Sequence, residues 1–217
     1  MYDTIIRYLL LIPSVLIALT FHEYAHGYVS YKFGDPTAKN LGRLTLNPIK
    51  HLDLLGTLCM VVCGIGWAKP VPVNARYYKN PRVGMALTAM AGPVMNLLLG
   101  FIGTLIAELI LLIPVPEDNE MLIKAVMIGF AFFQNFSYLN IGLAVFNMIP
   151  IPPFDGSRFA FIFLPTKWYF GIMKYEQITK IILIVLLALG AFTGVISMVS
   201  GWIYGGFIRF WSLIFGY

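Results

Sequence analysis

The apolar residues of this chain fall in runs too long for the core helices of a soluble domain. A helix needs about 20 apolar residues to cross the hydrocarbon core of a bilayer, and four segments meet that length: 4–31, 84–113, 121–149 and 178–200. Charged residues make up only 12% of the 217, half of the roughly 25% usual in a soluble domain. These features predict an all-α polytopic membrane protein of about four to six transmembrane helices. A small cytoplasmic-side β-sheet or re-entrant segment is expected beside them. The start MYDTIIRY is not a basic leader, so the first run is expected to be a retained helix rather than a signal peptide.

Two stretches fit the span template poorly. The run 54–66 is short and holds glycines at 56, 64 and 66, which suits a re-entrant or interfacial segment. The tail GWIYGGFIRFWSLIFGY, 201–217, is aromatic and carries the single charge of Arg209. It suits either an interfacial position or one half of a hairpin with the fourth run. Cys59 and Cys63, four apart in an apolar stretch, lack the spacing of a cysteine zinc site or redox pair and read as buried thiols.

Lysine and arginine positions give an orientation. The loop 32–53 carries Lys32, Lys39, Arg43 and Lys50, and the loop 67–83 carries Lys69, Arg76, Lys79 and Arg82. Arg158, Lys167 and Lys174 lie in 150–177, whereas the turn PVPEDNE, 114–120, has only acidic charges. Positive loops stay in the cytoplasm, so the N-terminus and the acidic turn are expected outside, and the basic loops inside. The net charge of +5 is thus assigned to the membrane, and no nucleic-acid partner is expected. Within these loops GRLTLNP, 42–48, and KPVPVNARYY, 69–78, alternate like short strands, with their prolines restricting them to edges or ends.

The first run ends in His22-Glu23-Tyr24-Ala25-His26, which fits H-E-x-x-H. Residues four apart share a helix face, so both imidazoles can reach one metal ion, and Glu23 can reach a water beside it. Five-letter matches arise by chance on solvated helices. Near the end of a membrane span, however, each ionisable group costs on the order of 2.5–3.5 kcal/mol, and a bound cation would offset that cost. A zinc site needs a further protein ligand. The third run ends in NMIPIPPFDG, where Pro150, Pro152 and Pro153 stop helical hydrogen bonding. Asp155 can therefore turn back toward the bundle, or can simply form an Asp-Gly turn at the water boundary.

HEYAHG, GRLTLNP, AGPVMN (91–96) and NMIPIPPFDG, in this order, resemble the site-2 proteases, the intramembrane zinc metalloproteases. The resemblance runs from residue 22 to 156. It implies one Zn2+ per chain held by His22, His26 and Asp155, with Glu23 as general base and Asn147 holding the substrate or the tetrahedral oxyanion. It also implies a substrate with a transmembrane helix, held by edge pairing on the strand-like loop, and a multi-pass protein of the cell membrane with its active site toward the cytoplasm. Gly92, Pro93 and Asn96 look like the family's packing motif. A minimal, prokaryotic member is expected, without a PDZ or CBS domain. One membrane-embedded domain, 1–217, is anticipated, with a catalytic core over about 1–160 and C-terminal helices over about 178–217.

Other polar residues have plainer roles. His51 reads as a hydrogen-bonded loop histidine. Ser137, Asn140 and Asn147 fall within about a quarter of the helix circumference and could line a path or bond neighbouring helices. Glu108 reads as packed or interfacial. Two other functions fit parts of the pattern: a metal-binding membrane transporter or sensor, which does not need Glu23, and a silent scaffold, which does not need zinc.

Overall fold

The computed structural model describes residues 2–54, 56, 67–164, 171 and 175–216. The elements are α1 (Tyr2–Lys32), α2 (Thr37–Asn40), 3-10 turns at Pro48–His51 and Ala75–Tyr77, α3 (Pro81–Leu111), α4 (Glu120–Asn147), α5 (Asp155–Ala160), a 3-10 turn at Phe161–Phe163, α6 (Glu176–Ala188) and α7 (Thr193–Phe215).

Local chemistry sets the starts of α3 and α4. The Asn80 side chain accepts the Val83 N–H at 3.3 Å, and Pro81 opens α3 where its missing N–H costs nothing. The Asn119 side chain accepts the Leu122 N–H at 3.0 Å and caps α4. Helix α3 is central and touches α1, α4, α5 and α7. Small residues permit this closeness: a methyl group on Gly100 would lie 2.8 Å from Ile141 Cγ1, so α3 and α4 approach as membrane helices do where side chains are small. Ala86, Ala89, Ala107, Ala144 and Ile141 are buried along these contacts. The cost of close packing among apolar helices is that polar groups there must find each other. Trp211 Nε1 donates to Thr104 Oγ1 at 3.1 Å, joining α7 to α3.

Among the described residues two helices are long and apolar enough to cross a membrane, Pro81–Leu111 and Glu120–Asn147. At about 1.5 Å per residue both exceed the ~30 Å hydrocarbon core. The expected run 178–200 is not one helix. It breaks after Ala188 at Gly190, whose φ is +74, and restarts at Thr193. The resulting α6, of 13 residues, is about 20 Å long and too short to span. The tail 201–217 largely belongs to the 23-residue α7, which packs on α3 and α4.

The expected β-sheet is corrected. Among the described residues no strand forms, and pairing is limited to one isolated antiparallel bridge between Leu52 and Ala68. In 69–78 the prolines lack donors, and two of the remaining N–H groups find side chains: Val71 donates to Glu23 Oε2 at 2.8 Å and Asn74 to Asp35 Oδ2 at 2.7 Å. The stretch 42–48 is a turn, where Asn47 accepts the Ile49 N–H at 3.1 Å. The proposed re-entrant run and both cysteines lie outside the described residues apart from 54 and 56.

Candidate metal centre

Helix α1 presents His22 and His26 on one face, and the two Nε2 atoms lie 3.0 Å apart. The chain leaves α4 at Met148, passes through the prolines, and re-enters helix at Asp155. Gly156 packs on the Met148 backbone with no room for a side chain, which turns Asp155 inward. Its Oδ2 lies 3.1 Å from His22 Nε2 and 3.2 Å from His26 Nε2. Both imidazoles are buried. Thus two segments 133 residues apart in sequence converge.

Hydrogen bonds behind the rings decide which nitrogen faces this cluster. His26 Nδ1 lies 2.7 Å from the Thr88 carbonyl oxygen, which can only accept, so Nδ1 carries the proton. His22 Nδ1 bonds the Asn96 side-chain oxygen. That oxygen is turned toward the ring because Asn96 Nδ2 donates to Asn140 Oδ1 at 2.8 Å and to the Ala18 carbonyl at 3.3 Å. Asn140 in turn donates to Phe136 O at 2.8 Å. In the neutral imidazoles both Nε2 atoms then carry the lone pair, and with the Asp155 oxygen three potential ligand atoms meet within 3.2 Å. Such an arrangement repels itself unless a proton or a metal cation lies among them. Ligands on a tetrahedral zinc ion at about 2.0–2.1 Å are themselves about 3.3 Å apart, so both spacing and donor chemistry fit that ion. His22, His26 and Asp155 form the metal-competent cluster found among the described residues.

Gly92 makes this possible on the α3 side, since a methyl group there would lie 2.5 Å from His26 Nε2 and 2.6 Å from His22 Nε2. Gly92 and Asn96 therefore do more than pack helices: one leaves space for the rings and the other orients His22. Thr88, Asn96 and Asn140 were not foreseen as parts of the site. The available signal was the presence of amide side chains inside apolar helices, where each must find a partner.

A cavity of about 470 Å³ opens beside the cluster, lined by Glu23, Val71, Asn147, Asp155, Arg158 and Lys180 among others. The carboxylate of Glu23 holds the segment 69–74 through Val71 N–H. Asn147 lines the cavity and spends one amide proton on Leu143 O at 3.0 Å. His51 lies apart from the cluster: it is buried, and its Nε2 meets Thr45 O at 2.8 Å. Glu108 is buried in α3.

The family model described as peptidase family M50 matches residues 10–193. The chain belongs to peptidase family M50. This is the site-2 protease family of zinc metalloproteases, as the motifs predicted. A Bacillus subtilis relative named "Putative zinc metalloprotease YwhC" is 48% identical over 149 residues, which cover 68% of this chain and 66% of that protein. The similarly named Rip2 of Mycolicibacterium smegmatis is 30% identical over 155 residues, 69% of this chain and 55% of the relative. A relative from Methanocaldococcus jannaschii, MJ0611, is 28% identical over 156 residues, 71% of each chain. The M50 chain thus spans just under two thirds of the first of these relatives and about half of the second. No solved structure matches it.

Proposed function

We propose that this M50 chain is an intramembrane zinc endopeptidase that cuts membrane proteins within or near their transmembrane helices. The observation carrying this reading is the convergence of two histidine Nε2 atoms and a carboxylate oxygen at the edge of a cavity that Glu23 also lines. In this reading His22, His26 and Asp155 hold the metal. When bound, zinc supplies a Lewis acid that polarises a carbonyl and lowers the pKa of water to about 7.

Glu23 takes the proton of the attacking water and returns it to the leaving amine nitrogen; Oε2 holds the Val71 N–H, which leaves Oε1 for the water. Asn147 still has a free amide proton to offer the oxygen that gains charge. His26 and His22 keep their lone pairs aimed forward because Thr88 O and the Asn96 oxygen hold their Nδ1 protons. A helical substrate must unwind before cleavage, since its carbonyls are otherwise internally hydrogen-bonded.

Membrane placement is supported by α3 and α4, which are long and apolar enough to span, and by the outward-facing Leu87, Val94, Leu98 and Ile102 of α3, all exposed. With α1 and α7 as further spans, the chain is one multi-pass domain over 1–217. The basic loops then place the site toward the cytoplasm.

The test is Glu23→Gln in purified, zinc-loaded protein reconstituted in liposomes. Cleavage of a transmembrane substrate should fall by at least about 10²-fold, the size of a general-base contribution, while metal content measured by elemental analysis stays at one per chain. Undiminished turnover would remove Glu23 from the base role.

A further inference from the structure

The cavity beside the metal cluster holds more cationic character than the proposed hydrolysis uses. Each carboxylate on its wall is engaged. Glu23 accepts Val71 N–H at 2.8 Å, Asp155 faces the two rings, and Asp53 accepts Gly56 N–H at 2.8 Å. The two cations differ from each other. Lys180, from α6, places its ammonium 5.4 Å from the centre of the Trp67 ring, so it has a cation–π partner. Arg158 also lines the cavity and is half-buried. Among the described residues it makes no hydrogen bond and no ion pair.

A guanidinium cannot shed its charge, and holding one partly out of water without a counter-charge is unfavourable. Arg158 stands three residues after Asp155 on α5, a spacing that puts both side chains on one helix face. Its planar fork of donors matches a carboxylate better than any other group a polypeptide carries.

We propose that Arg158, with Lys180 beside it, is a specificity-determining residue that binds a carboxylate of the substrate. This rests on the protease reading above. The separation from Asp155 along the helix is about 4.5 Å, so the carboxylate belongs within about three extended residues of the cut, each about 3.3 Å long. An Asp or Glu side chain and a free chain end share this chemistry.

The test uses zinc-loaded full-length protein in detergent and labelled, C-terminally amidated model transmembrane peptides of about 25 residues. The peptides differ only by Glu, Gln or Lys walked through the cytoplasmic third, and a further Gln peptide has a free C-terminus placed there. Binding is read by fluorescence anisotropy and cleavage by mass spectrometry.

The Glu peptide should bind about tenfold tighter than its Gln counterpart, as a charged hydrogen-bonded pair allows. Arg158→Gln should bring that ratio below about twofold, and Arg158→Glu should pass the preference to the Lys peptide. A preference carried only by the free-ended peptide identifies the chain end as the ligand. Equal binding of the amidated and free-ended peptides whatever their charge, or a preference unchanged in Arg158→Gln, overturns the proposal. So does a variant that loses only retention on phosphatidylglycerol vesicles relative to phosphatidylcholine, because Arg158 would then be reading lipid. Peptides bound with Arg158-dependent preference but never cut would sink the protease reading and leave this one standing. Thermal midpoints and zinc content of both variants, expected to match wild type, exclude misfolding as the cause.

Discussion

Two ordinary imidazoles become competent to hold a metal ion here because of what stands behind them. His22 would be free to rotate or to place its proton on Nε2 if the Asn96 oxygen did not hold Nδ1–H. Asn96 is itself oriented by Asn140 and Ala18, so the metal-facing lone pair depends on an amide relay across α1, α3 and α4. Removing such a partner typically weakens metal binding by about 10–100-fold. Asn96→Ala is accordingly expected to lose zinc to a competing chelator at a chelator concentration about 10–100-fold lower, while Asn96→Asp, which keeps the acceptor, should lose less. Equal zinc affinity in all three proteins would show that His22 needs no such support.

The loop between α1 and α3 owes its order to one buried carboxylate rather than to a sheet. Asp35 is fully buried and accepts Ser30 Oγ–H at 2.8 Å, Thr37 N–H at 2.9 Å, the Thr37 hydroxyl and Asn74 N–H at 2.7 Å. Ser30 also meets Tyr78 Oη at 2.7 Å, and that hydroxyl meets Thr88 Oγ1 at 3.1 Å, so the knot reaches the residue whose carbonyl orients His26. Burial pushes the Asp35 carboxyl up, but the hydrogen bonds from Thr37, Asn74 and Ser30 together outweigh it and hold the group below its ordinary range. With the folded value depressed, its contribution to stability is complete above the unfolded pKa of about 3.9 and disappears as pH falls through the folded value. Asp35→Asn should cost about 2–4 kcal/mol near neutral pH, from several buried donors left poorly matched. The midpoint gap between the two proteins, followed by thermal denaturation in detergent, should narrow below about pH 4. A constant gap from pH 7 to 3 would refute the account.

Taken as one body, the molecule joins four elements around the metal cluster: α1 brings the histidines, α3 the space and the backing oxygens, α4 the Asn140 relay, and α5 the carboxylate. A ligand that binds only this assembled state stabilises it, by about 2.7 kcal/mol at a concentration a hundredfold above its Kd. For a domain of 150–250 residues that corresponds to about 5–10 °C in Tm. Chelation of zinc-loaded protein should lower the midpoint by this amount, zinc should restore it, and Asp155→Ala should remove the difference. A midpoint indifferent to chelator in the wild type would separate metal binding from the fold.

What could be read from residues alone was whatever depends on near neighbours or on burial averaged over a segment. Long apolar runs announced the helices, the four-residue spacing of His22 and His26 announced a shared helix face, and the prolines before Asp155 announced a break. The break at Gly190 was also local, yet an uninterrupted apolar run masked it, because hydropathy averages over the very turn that ends the helix. Partners across the molecule were out of reach. The alternation at 69–78 suggested an edge strand, but two of its donors met Glu23 and Asp35, 48 and 39 residues away. Alternation in sequence records which side chains face inward and not which acceptor a backbone N–H will find. The same holds for Asn96: its motif suggested close packing, and its hydrogen bond to His22 exists only where three helices meet.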